Sequence, residues 1–97
     1  MSEIWFRDLR NRPMRLIEAR QEHFETAHPE MVGQLEKIHE TLLNPDRIIR
    51  PRTDPEVELF YCRYDASPVS QKYLCVVVKV IDDDLFIITA YFTDTIK

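Results

Sequence analysis

The chain has 97 residues, 44% apolar and 31% charged, with a net charge of −4; that suits one domain, residues 1–97, around one core. No apolar run reaches the roughly 18–20 residues a membrane span needs. The opening MSEIWFRD lacks the charged-then-apolar pattern of a signal peptide, so the expectation is a cytoplasmic domain with no membrane partner.

Ile4-Trp5-Phe6 and Met14-Arg15-Leu16-Ile17 read as the two arms of a β-hairpin turning near Asn11, a residue suited to turns. Pro13 confines its strand to an edge or a strand start. Glu18 to Ala27 has helix-favouring composition, with Ile17, Phe24 and Ala27 as a narrow apolar stripe. His28-Pro29-Glu30 interrupts it, because proline pushes the preceding residue out of the helical region and fits the first position of a new helix. A second helix is predicted from Pro29 to Leu43, burying Val32, Leu35, Ile38, Leu42 and Leu43. Asn44-Pro45-Asp46 ends it.

Arg47 to Arg52 is expected to hold a short strand, followed by a bend at Pro51 and at Thr53-Asp54-Pro55. Val57 to Tyr64 reads as a strand with Leu59, Tyr61 and Arg63 on one side and Phe60, Cys62 and Tyr64 on the other. The last stretch, Lys72 to Lys97, is a long hairpin turning at Asp82-Asp83-Asp84. Its first arm is apolar on both sides, which predicts a central strand covered on both faces. The order β-β-α-α-β-β-β-β gives an α+β domain with an antiparallel sheet.

Cys62 and Cys75 are read as reduced core thiols, in keeping with a chain lacking a secretion signal. Neither C-x-x-C nor H-x-x-x-H occurs, so neither a metal nor a cofactor is expected. Gly33 is the sole glycine, which excludes a Gly-rich phosphate loop.

The negative balance argues against a nucleic-acid partner, but the charge is uneven. Arg7, Arg10, Arg12, Arg15 and Arg20 cluster early, and Arg47, Arg50 and Arg52 form a second group; a local basic surface could receive phosphates. Strand alternation puts Thr89, Tyr91 and Thr93 on one face. A turn centred near Asp83 adds Lys79 and Tyr73 to it. Tyr61 and Arg63 share a face of the neighbouring strand. A cation, several hydroxyls and an arginine on one sheet face suit a phosphate oxyanion. The plainer reading is solvent-facing hydroxyls and a Lys79 reaching to a sheet edge or engaged in an internal ion pair. His23 and His28 are the acid/base candidates. Five residues apart, they would not share a face of a continuous helix, and each has the plainer reading of a solvated or capping residue.

The strings HFETAHPEM, LLNPD, ELFYCRY, KYLCVVVKV and FIITAYFTDTIK resemble the phage-associated barnase/EndoU/colicin/RelE-like nuclease domains over about Ile4 to Lys97. The resemblance implies an N-terminal hairpin and two helices followed by a twisted antiparallel sheet of about four strands. It also implies a metal-independent endoribonuclease, prophage or toxin related, in which the 2′-hydroxyl of RNA attacks the adjacent phosphate. His28, with His23 as the alternative, would be the acid/base. Lys79, Arg63 or an N-terminal arginine (Arg12 or Arg15) would stabilise the transition state; Thr89, Tyr61 and Tyr91 would hold phosphate oxygens or position the nucleophile. Arg50 and Thr93 complete the expected substrate contacts. The partner implied is RNA, with an inhibitor or antitoxin protein as a possible second. The alternative is a non-catalytic RNA- or protein-binding module on the same fold.

Overall fold

The computed structural model describes residues 3–96; Lys97, the last residue of the resemblance, lies outside them. The elements are β1 (Glu3–Arg7), β2 (Pro13–Ile17), α1 (Glu18–Ala27), a single 3-10 turn (Pro29–Met31), α2 (Leu35–Leu43), β3 (Arg47–Ile49), β4 (Val57–Arg63), β5 (Tyr73–Ile81) and β6 (Asp84–Thr93). The α+β class follows. Both hairpins turn where expected, with Asn11 at φ 61° and Asp82 at φ 54°, left-handed positions that Asn and Asp tolerate.

Two expectations are corrected. The sheet has six strands, in the order β1-β2-β6-β5-β4-β3, and it is mixed. β2 runs parallel to β6 through a single register pair, Arg15↔Phe86, so the N-terminal hairpin joins the main sheet. Nothing local in either strand announces a partner about seventy residues away.

The long second helix is the other correction. Val32 leaves the helical region at φ −61° and ψ 126°, Gly33 takes φ 80°, and α2 starts only at Leu35. Gly33 is the residue best able to adopt that backbone. The break turns Val32 outward, 61% exposed, and Leu43 is 38% exposed; Ile38 and Leu42 are fully buried as predicted. In α1 only Phe24 of the predicted stripe is buried, and Ala27 is exposed.

Between the helices and the sheet lies the main core. Phe24, Met31, Ile38 and Leu42 pack there with Phe6, Met14, Leu16, Phe60, Leu74, Val76, Val78, Ile87, Ala90 and Phe92. Each fully buried large side chain contributes about 1.5–3 kcal/mol. On the opposite side of the sheet Val57, Leu59, Tyr61 and Cys75 form a second apolar cluster, edged by Ile49, Tyr73, Val77, Ile88, Tyr91 and Ile96. Every member comes from a strand or from Ile96, so among the described residues no helix contributes an apolar side chain to this cluster, and we call this the open face. β5 is central, as its composition predicts, but only one of its faces lies beneath helices.

Cys62 and Cys75 are thiols not joined in a disulfide. Cys62 lies on the side of β4 shared with Phe60, and Cys75 on the side of β5 that faces away from the helices, so their side chains diverge.

Candidate functional site

The open face carries most of the residues singled out in the sequence. Its rows follow from register. Thr93 lies opposite Tyr73, and Tyr73 opposite Arg63. Tyr91 lies opposite Cys75, and Cys75 opposite Tyr61. Thr89 lies opposite Val77, and Phe86 opposite Lys79. The shared face of Lys79, Tyr73, Thr89, Tyr91 and Thr93 depends on an irregularity between Val77 and Val78, where the pairing skips one residue of β6. A bulge of this kind adds a residue to one strand and restores the alternation one step later.

The helical layer delivers one histidine to this face. His28 follows α1 and precedes Pro29, and its backbone has left the helical region at φ −133° and ψ 79°, since a proline disfavours the helical conformation of the residue before it. Its N–H donates to the Phe24 carbonyl at 2.7 Å, and its carbonyl accepts from the Met31 N–H at 2.9 Å. Anchored on both sides, the imidazole stands 5.5 Å from the Tyr91 ring, centroid to centroid, tilted by 32°. Glu30 brings a carboxylate oxygen to 3.9 Å from His28 Nδ1. The arrangement leaves Nε2 as the nitrogen facing away from the carboxylate. Burial pushes the Tyr91 phenol above its ordinary pKa of 10.0, so at neutral pH it is a hydroxyl able to donate.

His23 is elsewhere. It is exposed on α1 in a hollow lined by Ala19, Glu22, His23, Thr26 and Ala27, all from that helix. The third histidine, His39, packs its ring 5.4 Å from Phe6.

Lys79 lies on the open face but at its far end. It is four residues from Cys75, roughly 13 Å along the strand, and its Nζ is 3.5 Å from Glu56 and 3.7 Å from Asp54. Lys79 is ion-paired, but with exposed carboxylates at the surface rather than internally. Arg63 ends β4, exposed, with Nε donating to Asp65 at 3.1 Å. Arg15 is tied to Asp84 at 2.8 Å and lies 6.0 Å from the centre of the Phe86 ring. Tyr61 is 1% exposed, so it is more a floor to the face than a surface donor.

A second polar assembly lies on the helix side of β4. Glu58 is 1% exposed and Asp8 2%. Arg12 bridges them. Its Nε donates to Asp8 Oδ2 at 2.9 Å, and its Nη2 reaches Asp8 at 2.8 Å and Glu58 Oε1 at 2.7 Å. Arg50 donates to the other Glu58 oxygen at 2.7 Å. Burial pushes the Glu58 carboxyl up, but the hydrogen bonds from Arg12 and Arg50 outweigh it and hold the pKa below its ordinary value. Arg12 gains correspondingly: desolvation opposes its charge, and the bonds to Glu58 and Asp8 more than offset that. The sequence reading missed Glu58 and Asp8. The signal was in the alternation, which puts Glu58 on the same side of β4 as Phe60 and Cys62; a carboxylate on an apolar face requires a partner.

No family model, no curated protein and no solved structure matches this chain.

Proposed function

We propose that the open sheet face handles RNA phosphate, and that the domain is an endoribonuclease of the barnase/RelE type working without a metal. The observation that carries this reading is the His28 imidazole beside Tyr91 on that face, with Glu30 behind Nδ1. His28 takes the proton of a 2′-hydroxyl. The oxygen then bonds to the adjacent phosphorus, and the bond from phosphorus to the 5′-oxygen breaks. The leaving oxygen takes a proton from the same imidazole or from water, giving a cyclic phosphate and a free 5′-hydroxyl. Tyr91 and Thr89 donate to the phosphate oxygens as their charge grows.

The test is incubation of purified protein with mixed RNA in EDTA, beside His28→Ala and His23→Ala. Cleavage is expected to fall by about 100-fold or more in the first and to persist in the second. Equal cleavage by wild type and His28→Ala overturns the assignment. One observation favours a second reading, a non-catalytic RNA-binding module: Lys79, the cation expected beside the base, is engaged with Glu56 and Asp54 at the far end of the face. That reading gains if wild type binds RNA and cleaves none.

A further inference from the structure

At the end away from His28 the open face carries a row of aromatics and cations. The row crosses five neighbouring strands: Trp5 lies opposite Arg15, Arg15 opposite Phe86, Phe86 opposite Lys79, and Lys79 opposite Val57. Residues directly opposite one another in neighbouring strands share a face of the sheet. Trp5 and Phe86 therefore lie on the side away from the helices, with Arg15 between them. The Arg15 guanidinium is 6.0 Å from the centre of the Phe86 ring. Trp5 is 56% exposed and Phe86 half-buried. Ile81, 40% exposed, stands two residues beyond Lys79 and diagonal to Phe86, and it continues the apolar strip. A contiguous apolar strip left open to water marks a place of contact with another molecule.

The charges around the strip are arranged with the acids outermost. Arg15 meets Asp84 at 2.8 Å and Glu3 at 3.9 Å; its side chain is 32% exposed, theirs 51% and 40%. Lys79 meets Glu56 and Asp54; its side chain is 24% exposed, theirs 56% and 47%. Both cations lie along the apolar row on their aliphatic stems, and the four carboxylates stand outside them. Arg7, two residues from Trp5 on the same side of β1, donates to the Asn11 carbonyl at 2.9 Å. Asp82 and Asp83 add two more exposed carboxylates at the tip of the β5–β6 turn. The rim is therefore negative, and solvent meets its acids first. Such a rim repels a phosphate chain and attracts a surface carrying lysine and arginine.

We propose that Trp5 and Phe86 are the centre of a docking surface for a protein partner that presents an apolar patch ringed by lysines or arginines. Protein interfaces are built with an aromatic anchor inside a polar rim, and here the rim dictates the partner's charge. The surface lies roughly 13 Å along the sheet from the Tyr91 row. It leaves the His28 end of the face free, and it stands whether or not that end cleaves RNA.

Trp5 is the only tryptophan in the chain, so intrinsic tryptophan emission reports this surface alone. The probes are a short labelled amphipathic peptide of lysine and leucine, the same peptide with glutamate for lysine, and a single-stranded oligoribonucleotide. The lysine peptide should shift Trp5 emission to the blue. By anisotropy it should bind Trp5→Ala about 30-fold more weakly than wild type. Asp84→Asn/Glu56→Gln should bind it about fivefold more weakly. Glu22→Gln/Glu36→Gln makes the same change of charge on exposed helix positions and should bind it as wild type does. All the replaced side chains are exposed, so each variant should melt within a few degrees of wild type. Absence of the blue shift overturns the proposal, as does equal weakening by the two double variants. A shift produced by the oligoribonucleotide or the glutamate peptide instead overturns the basic partner. A blue shift of the protein alone on raising its concentration, with a dimer in sedimentation that Trp5→Ala abolishes, makes the occupant a second copy and overturns it too.

Discussion

The two polar assemblies are built on opposite principles. In the ladder Asp8–Arg12–Glu58–Arg50, both buried carboxylates are engaged at 2.7–3.0 Å, and water is nearly excluded from them. At the open face, His28 meets Glu30 only at 3.9 Å, and its ring is more than a third exposed. Groups held by complete hydrogen-bond sets define one geometry and resist a change of charge. Groups held loosely at a surface keep the freedom to exchange protons. On the proposed reading, the ladder holds the fold and the open face is where the chemistry would occur.

The largest effect that would break this division lies in the ladder. Glu58→Ala leaves Arg12 and Asp8 without the group between them and β4, and should cost about 3 kcal/mol in urea unfolding. That is the low end for a broken buried pair, because Arg50 is open to water. A loss below about 1 kcal/mol would make the ladder ordinary surface charge.

Acid should expose the same difference. The folded-state pKa of Glu58 lies below its ordinary value of 4.5. The stabilisation is therefore complete above that value and is lost as pH falls through the folded pKa. Melting temperature should drop on acidification below about pH 4.5, and Glu58→Gln, already less stable, should show a shallower drop. A parallel profile would mean another carboxylate drives the acid transition.

The open face should behave in the reverse sense. Tyr91→Phe removes one hydroxyl and keeps the ring against His28, so unfolding free energy should move by no more than about 1 kcal/mol while RNA cleavage falls by at least tenfold. A large stability loss with turnover intact per folded molecule would move Tyr91 to the structural side.

Lys79→Met should give the smallest structural effect. Its two ion pairs, at 3.5 and 3.7 Å with exposed carboxylates, are worth about 0–1 kcal/mol. Turnover per folded molecule should stay close to wild type, because Lys79 sits roughly 13 Å along the strand from the Tyr91 row; a marked loss of cleavage with the fold intact would bring Lys79 into the reaction.

Elements were legible in the sequence where a local cause set them. α1 ends at Ala27 because His28 precedes a proline, and the first hairpin turns at Asn11 because asparagine tolerates a positive φ. The helix start at Pro29 was misread because the apolar spacing runs on through Val32, while Gly33 unwinds the chain there. In the site, the row of Thr89, Tyr91 and Thr93 was readable from alternation alone. Its alignment with Lys79 depends on a bulge that no spacing rule reveals. Residue type nominates His28 and His23 alike; His23 lies within α1 and His28 just past its end, and only the fold shows which of them meets the sheet.

Taken alone, the sequence determined the turns, the α+β class and the centrality of β5, because backbone preference and hydrophobic alternation act over a few residues. Only the tertiary structure decided that β2 lies parallel to β6, that His28 meets Tyr91, and that Glu58 is caught between Arg12 and Arg50. Those outcomes join residues dozens of positions apart, where pairing is settled by which buried groups satisfy each other's charge and hydrogen bonds, and no local pattern encodes that choice.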